Sequence, residues 1–217
     1  RVVSGRSEWM IEANLDAKNI QMTQTPVESH ICRLAVPTII SNLITTFYNM
    51  ADTFFIGKIS TSASGAVGIA FAVMAAIQAV GFFFGQGSGN NISRLLGRQE
   101  TDKAERLAAV GFYSALIGGA LIAATGLIFL KPLCILLGST ETILPYAMDY
   151  LKFILIGAPY MAASLVLNNQ LRFEGSAFYG MIGLTTGALI NIVLDPILIF
   201  GFNMGISGAA LATIISQ

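Results

Sequence analysis

The sequence is poor in charged residues, cysteine and histidine. Only 11% of its 217 residues are charged, whereas soluble domains carry about 25%. Hydrophobic residues make up 54% and the formal net charge is zero, so no basic surface points to nucleic acid as a partner. This composition argues against a soluble domain and predicts an integral membrane protein.

The rare residues also limit the chemistry. The two cysteines, Cys32 and Cys134, lie far apart in the sequence, which argues against a disulfide framework and against a zinc site. His30 is the only histidine, so sites built from several histidines are excluded. The sequence contains no recognisable nucleophile–base pair or cluster of metal ligands. We therefore expect neither an enzyme nor a bound cofactor.

Six apolar runs predict membrane-spanning helices, because a helix needs about 20 apolar residues to cross the hydrocarbon core. The sixth run is only 13 residues long, or about 20 Å of helix, so we expect an incomplete span and a piece of a longer protein. Residues 1–25 are interpreted as a polar tail or tag, with Met22 as a candidate native start. The predicted helices cover residues 34–56, 63–85, 107–130, 143–167, 181–200 and 205–217.

A glycine-rich stretch, residues 85–90 (GQGSGN), follows the second predicted span. It is not a phosphate-binding P-loop, because no Gly-Lys-Ser/Thr follows it. Glycine often ends helices, so we expect the second helix to stop here. Residues 94–106 would then form a charged loop before the third helix.

The first predicted span carries a polar stripe. Asn42, Thr45, Asn49 and Asp52 follow one another at spacings of three, four and three residues, so they share one helix face, with Tyr48 beside it. Contact with lipid would penalise this stripe. The stripe could hold helices together or line a cavity, and the acid favours the cavity.

The fifth predicted span contains Asn191 and Asp195 four residues apart, followed by Pro196. A buried acid at mid-membrane depth costs about 2.5–3.5 kcal/mol and usually marks a functional site. Pro196 also leaves the carbonyl of Ile192 without its helical donor. A carboxylate, an amide and a free carbonyl suit a proton or Na⁺. The alternative is an acid that only braces helix packing.

Two further features leave alternatives open. Pro37 either begins the first membrane span or kinks it by freeing the carbonyl of Arg33. Asn168, Asn169 and Gln170 form either an ordinary loop or one wall of a polar cavity.

The basic residues predict the orientation. Positive charge concentrates on the cytoplasmic side of membrane proteins, and nine basic residues would share a side with the N-terminus, against three on the other. We therefore expect the N-terminus inside the cell. The nine are Arg1, Arg6, Lys18, Arg33, Arg94, Arg98, Lys103, Arg106 and Arg172, and the three are Lys58, Lys131 and Lys152.

Together these motifs resemble the multidrug and toxic compound extrusion (MATE) family, in particular its DinF-like bacterial branch. Each motif alone is weak, but their order and spacing are specific. The matching segments are 37–40 (PTII), 48–57 (YNMADTFFIG), 85–89 (GQGSG), 191–196 (NIVLDP) and 205–213 (GISGAALAT).

The resemblance implies an all-α transporter of twelve helices in two lobes in a bacterial inner membrane, with residues 26–217 as the N-terminal lobe. It also implies export of small organic compounds, often cationic, in exchange for H⁺ or Na⁺, with membrane lipid and a C-terminal lobe of the same chain as partners. Pro37 matches a proline at which the first helix bends. The coupling site, also the candidate Na⁺ site, would contain Asp52, Asn191, Asp195 and Thr213, and the surrounding polar network Asn42, Thr45, Tyr48, Asn49 and Asn168.

The charges suggest a mechanism. Two carboxylates in a lobe of low dielectric resist being ionised together, and a proton or Na⁺ relieves their repulsion. The relieved site could favour a different bend at Pro37, provided that the ion binds two conformations unequally.

Two other functions compete with antiport. A flippase for a lipid-linked precursor should line its cavity with Arg or Lys to hold phosphate, whereas the first, second and fifth predicted spans carry acids and amides and no interior base. The third possibility is a structural or channel-like six-helix protein, and the acids in the first and fifth spans argue against an inert scaffold.

Overall fold

The computed structural model describes the backbone of residues 27–217 and the side chains of residue 31 and residues 35–217. Over this range the chain is helical and has no strand. One π-helical turn, Ile197–Gly201, follows the sixth α-helix. The α-helices are α1 (Val27–Gly57), α2 (Thr61–Gly97), α3 (Thr101–Ile128), α4 (Leu130–Leu136), α5 (Leu144–Phe173), α6 (Ala177–Pro196) and α7 (Ile206–Ser216).

The prediction that the second helix stops at the glycine-rich stretch is wrong. Helix α2 continues through residues 85–90 to Gly97, and the charged loop shrinks to the residues before α3. The buried glycines face α5: a Cβ on Gly85 would lie 3.0 Å from Asn169 Cβ, and one on Gly89 would overlap the Phe173 ring. Glycine serves here to let two helices approach closely, not to end one.

Two other predicted boundaries also change. Helix α1 already begins at Val27, so Pro37 lies inside the helix. Helix α5 continues to Phe173, so residues 168–170 are helical and the loop interpretation is wrong. Both helices extend beyond the apolar run, because turns with polar side chains continue a helix past the hydrophobic layer.

The helices pack in two groups. Helix α5 packs most extensively against α2 and α3, and α2 also packs on α3. Helix α1 packs mainly along α6, with only a small contact to α2, while α7 contacts both α5 and α6. The core between α2 and α5 consists largely of alanine and glycine with a few large aliphatic side chains, so the helix axes come close together.

Four of the described helices are long and apolar enough to cross a membrane: α2, α3, α5, and α6 with its π-helical turn. Helix α1 has 31 residues, but its polar stripe lowers its mean hydropathy. Helix α7 has 11 described residues. The predicted all-α membrane fold is confirmed, with a short additional helix, α4, between the third and fourth predicted spans.

Close packing of α3 against α5 depends on Gly119. A Cβ at this position would lie 2.6 Å from Pro159 Cα and 2.8 Å from the Ala158 carbonyl oxygen, and these backbone atoms cannot rotate away. We expect Gly119→Leu to separate α3 from α5 and to destabilise the lobe by about 1–3 kcal/mol. The loss should appear as a lower midpoint of thermal unfolding in detergent.

Gly68→Leu is the matched control, because Gly68 is also helical and a Cβ there would meet nothing within 4 Å. Both substitutions favour the helix by propensity alone. Equal unfolding midpoints for the two variants would contradict the assigned role of Gly119.

Candidate functional site

Two acids from different helices meet inside the lobe. Asp52 on α1 is 9% exposed and Asp195 on α6 is fully buried, and their carboxyl groups lie within hydrogen-bonding reach of each other. Helices α1 and α6 pack side by side, which brings together residues 143 positions apart. Asn191, one turn before Asp195, is also fully buried. The structure therefore places three of the four predicted coupling residues on the two facing helices.

Most polar atoms of these three side chains lack a hydrogen-bond partner within the described part of the chain. They are Oδ1 of Asp52, both carboxyl oxygens of Asp195, and Oδ1 and Nδ2 of Asn191. Leaving buried polar groups unpaired is costly. Carboxyl and amide oxygens are the donors that a hard cation prefers, and a proton can bridge two carboxyl groups. The donor set fits either H⁺ or Na⁺.

Thr213, the fourth predicted coupling residue, lies on α7 and is 4% exposed. Its hydroxyl donates to the Ala209 carbonyl at 3.0 Å, and its oxygen lies within reach of the Tyr150 hydroxyl.

Tyr150 is a site residue that the sequence did not reveal. It lies on α5, is 1% exposed, and its hydroxyl is close enough to Asp52 and Asp195 to interact with both electrostatically. A tyrosine near the end of an apolar span usually marks the membrane interface, so its position suggests no buried role. Its partners come from α1, α6 and α7, and no local spacing could have indicated them.

A cavity of about 460 Å³ adjoins this cluster, between α1, α2, α5, α6 and the end of α7. Tyr48 lines it and also interacts electrostatically with Asp52 and Asp195. This tyrosine therefore lies at the boundary between the acids and the cavity. Neither acid is among the lining residues.

The cavity contains four of the five residues predicted for the polar network: Asn42, Thr45, Tyr48 and Asn168. Asn168 donates its amide N–H to the Gly180 carbonyl at 3.1 Å, which ties α5 to α6. The fifth residue, Asn49, lies outside this cavity with its side chain exposed.

The three adjacent amides of α5 separate into two roles. Asn168 and Asn169 line the cavity, as the cavity-wall alternative predicted. Gln170 points the other way and is 4% exposed. Its amide donates to Ser88 Oγ at 3.0 Å and to the Ala108 carbonyl at 3.1 Å, so it links α5 to α2 and α3.

Pro37 lies in the eleventh position of α1. Lacking an N–H, it cannot satisfy the carbonyl four residues earlier. Its own carbonyl accepts a hydrogen bond of 2.8 Å from the Ser41 hydroxyl. The helix is therefore intact here but has a weakened hydrogen-bond ladder on the N-terminal side of the polar stripe.

Comparisons with known proteins agree on one family. The MatE family model matches residues 37–197. Multidrug export protein MepA of Staphylococcus haemolyticus is 32% identical over 203 residues, which are 93% of this chain and 45% of that protein. An FAD transporter of Shewanella oneidensis is 33% identical over 199 residues, 90% of this chain and 44% of that protein.

A solved structure is also similar. An outward-facing multidrug resistance MATE transporter of the MOP superfamily superimposes with a TM-score of 0.86 and 31% identity, covering 91% of this chain and 44% of that one. The chain thus spans about half the length of the relatives that it matches.

Proposed function

Because the chain belongs to the MatE family, we propose that it forms one lobe of a secondary active antiporter that exports small organic compounds in exchange for H⁺ or Na⁺. The observation that carries this proposal is the buried pair of acids, Asp52 and Asp195, next to a polar cavity. Their unpaired oxygens offer a binding site for the coupling ion, and the cavity offers one for the exported compound. The relatives named for multidrug export and FAD transport support a transport function, and no catalytic step is part of the proposal.

The coupling mechanism follows from which helices carry the acids. Asp52 moves with α1 and Asp195 with α6, so a proton or Na⁺ between them favours close packing of these two helices. Helix α1 makes few contacts with α2 and α7, which leaves it comparatively free to move along α6. An ion can drive such a change only if it binds the two arrangements with different affinity.

We further propose a second lobe, a bacterial inner membrane and a cytoplasmic N-terminus. The coverage of about half of each relative supports a C-terminal lobe as partner. The exposed polar side chains of α1, such as Asn42 and Asn49, would be costly in lipid and would instead face that lobe or water. The excess of basic residues on the N-terminal side supports the orientation.

A flippase remains the second candidate in the same superfamily. Such a protein should hold phosphate with several basic side chains. Of the cavity-lining residues in the described range, only Arg172 is basic. One base at one end of the cavity supports antiport of a small compound better than transfer of a lipid-linked precursor.

The test is transport by the full-length protein that contains this chain, reconstituted in liposomes with an imposed H⁺ or Na⁺ gradient. Antiport predicts that at least one of the two gradients drives uphill movement of a fluorescent drug. It also predicts that movement of the drug dissipates that gradient. A flippase would instead move labelled lipid without a gradient, and a channel would show only downhill flux. Either result would refute the proposed antiport.

Pro37→Ala should slow export without preventing insertion or substrate binding. Alanine restores the backbone donor and stiffens α1, so exchange between two shapes of the helix becomes slower while the site residues stay in place. The measurement is export rate against substrate affinity in the same liposomes. A wild-type rate in this variant would remove Pro37 from the mechanism.

A further inference from the structure

The cavity contains a single charged side chain, and it is positive. Among the lining residues that the structure describes, Arg172 alone has an ionised side chain, while the remaining polar ones are amides and hydroxyls. Arginine stays protonated under all physiological conditions. The acids Asp52 and Asp195 do not line the cavity. The charged side chain that the described cavity presents to a bound compound is therefore positive.

Arg172 lies far from the acid pair. It follows Tyr150 by 22 residues on the same helix, α5, which is about 33 Å at 1.5 Å per residue. Tyr150 is beside the acids, so Arg172 is at the opposite end of the cavity. Because Coulombic attraction falls with distance, direct attraction between Arg172 and the acids is weak.

The guanidinium group is available for a ligand. No carboxylate within the described range forms an ion pair with it. Glu174, two residues later, does not line the cavity. Arg172 is also half-buried, and partial burial strengthens a charge-assisted hydrogen bond.

Three aromatic side chains also line the cavity. Phe82 of α2, Tyr160 of α5 and Tyr179 of α6 all line the cavity. Aromatic rings can stack on a flat ligand, but they also attract cations, so they do not by themselves select the sign of the ligand's charge. That selection falls to Arg172, whose planar fork matches phosphate and carboxylate oxygens.

We propose that Arg172 binds an anionic group of the transported compound, so that the cavity prefers flat aromatic molecules carrying a phosphate or carboxylate. This inference rests on the proposed transport function for its biological meaning. It concerns the affinity of the cavity for the transported compound at the end remote from the acids. A substitution of Arg172 should therefore change this affinity without changing ion coupling.

The experiment compares three probes with the same ring: 1-naphthyl phosphate, neutral 1-naphthol and (1-naphthylmethyl)trimethylammonium. Their binding to the full-length transporter in phosphatidylcholine nanodiscs is measured by equilibrium dialysis with naphthyl fluorescence. The wild type should bind the phosphate most tightly. Arg172→Gln should weaken phosphate binding about tenfold, the effect of losing one strong charge-assisted contact, and leave naphthol binding unchanged.

Arg172→Lys and Arg106→Gln complete the design. Lysine retains the charge but loses the fork, so phosphate binding should fall to an intermediate value; this variant also serves if the glutamine variant does not fold. Arg106 is exposed and does not line the cavity, so its neutralisation should leave all three affinities unchanged.

Three results would overturn the inference. They are tighter wild-type binding of the trimethylammonium probe, equal loss of all three probes in Arg172→Gln, and abolition of phosphate binding when phosphatidylglycerol is added to the nanodiscs. The last would show that Arg172 holds a lipid headgroup. If an ion gradient drives no transport but Arg172→Gln still loses only phosphate binding, the proposed antiport fails while the assignment of Arg172 stands.

Discussion

Asp195→Asn should abolish ion-driven export while leaving the protein folded and inserted. The amide keeps the size of the side chain but cannot take up a proton and supplies no charge for Na⁺. The dependence of substrate affinity on the ion should disappear in this variant, because linkage between two ligands is reciprocal. Coupling of this kind usually changes affinity by a factor of about 5–150, and we expect that whole factor to be lost.

The unfolding midpoint of Asp195→Asn distinguishes a coupling role of Asp195 from a role that only braces the helix packing. Asp195 is fully buried, and neither of its oxygens has a hydrogen-bond partner in the described part of the lobe. The amide would remove a buried charge and could donate a hydrogen bond to Asp52. We therefore expect the unfolding midpoint of Asp195→Asn to equal or exceed that of the wild type. A residue that only braced the bundle would give the reverse, a lower midpoint with transport retained.

The measurement is export rate and substrate affinity between pH 5.5 and 8, with and without Na⁺, in the full-length protein. Asp149→Asn is the control, because Asp149 is an exposed acid of α5 next to Tyr150 and its neutralisation should change nothing. Full and still ion-dependent transport by Asp195→Asn would place coupling elsewhere, outside this lobe's acid pair.

Asp52→Asn should behave similarly, and the double variant should add little to either single one. The two carboxyl groups are within hydrogen-bonding reach, so in the proposed site they would bind one ion as a unit and their effects would not be additive. Additive losses would indicate two independent ion sites.

The second large effect is expected when this 217-residue chain is reconstituted alone. We expect no gradient-driven export from liposomes that contain only this chain, whereas the full-length protein should export. Alternating access in transporters of this kind depends on one half of the structure moving against another around a central site. The described helices of this chain bound the cavity, and Asn49 of α1 is exposed outside it.

Coexpression with a separately encoded C-terminal lobe provides the control, because it restores the partner without a covalent link. Export should return if the two lobes assemble. Sustained export by this chain alone, shown to be monomeric by its mass in detergent, would contradict the two-lobe mechanism. If two copies pair, cross-linking would reveal the dimer.

Local sequence patterns were enough to determine much of this protein. Hydrophobic run length predicted the membrane helices, because crossing a bilayer of fixed thickness is a requirement on each segment separately. The spacing of Asn42, Thr45, Asn49 and Asp52 predicted one polar face, because helical periodicity is also local. Of these four, Asn42 and Thr45 line the cavity, whereas Asn49 is exposed outside it. The same holds for Asn191 and Asp195, whose separation of one turn puts both on the side of α6 that is buried.

Only the tertiary structure decided which residues of different helices come into contact. Glycine at residues 85–90 is compatible with either a helix end or close helix contact, and the packing of α5 against Gly85 and Gly89 settles it in favour of contact. Tyr150 lies near the two acids, and Arg172 lines the cavity. In both cases the neighbouring residues are distant in the sequence. Membrane helices can be recognised one at a time from their length and polarity, but a binding site depends on the rotation and contact of several helices, which a single helix does not encode.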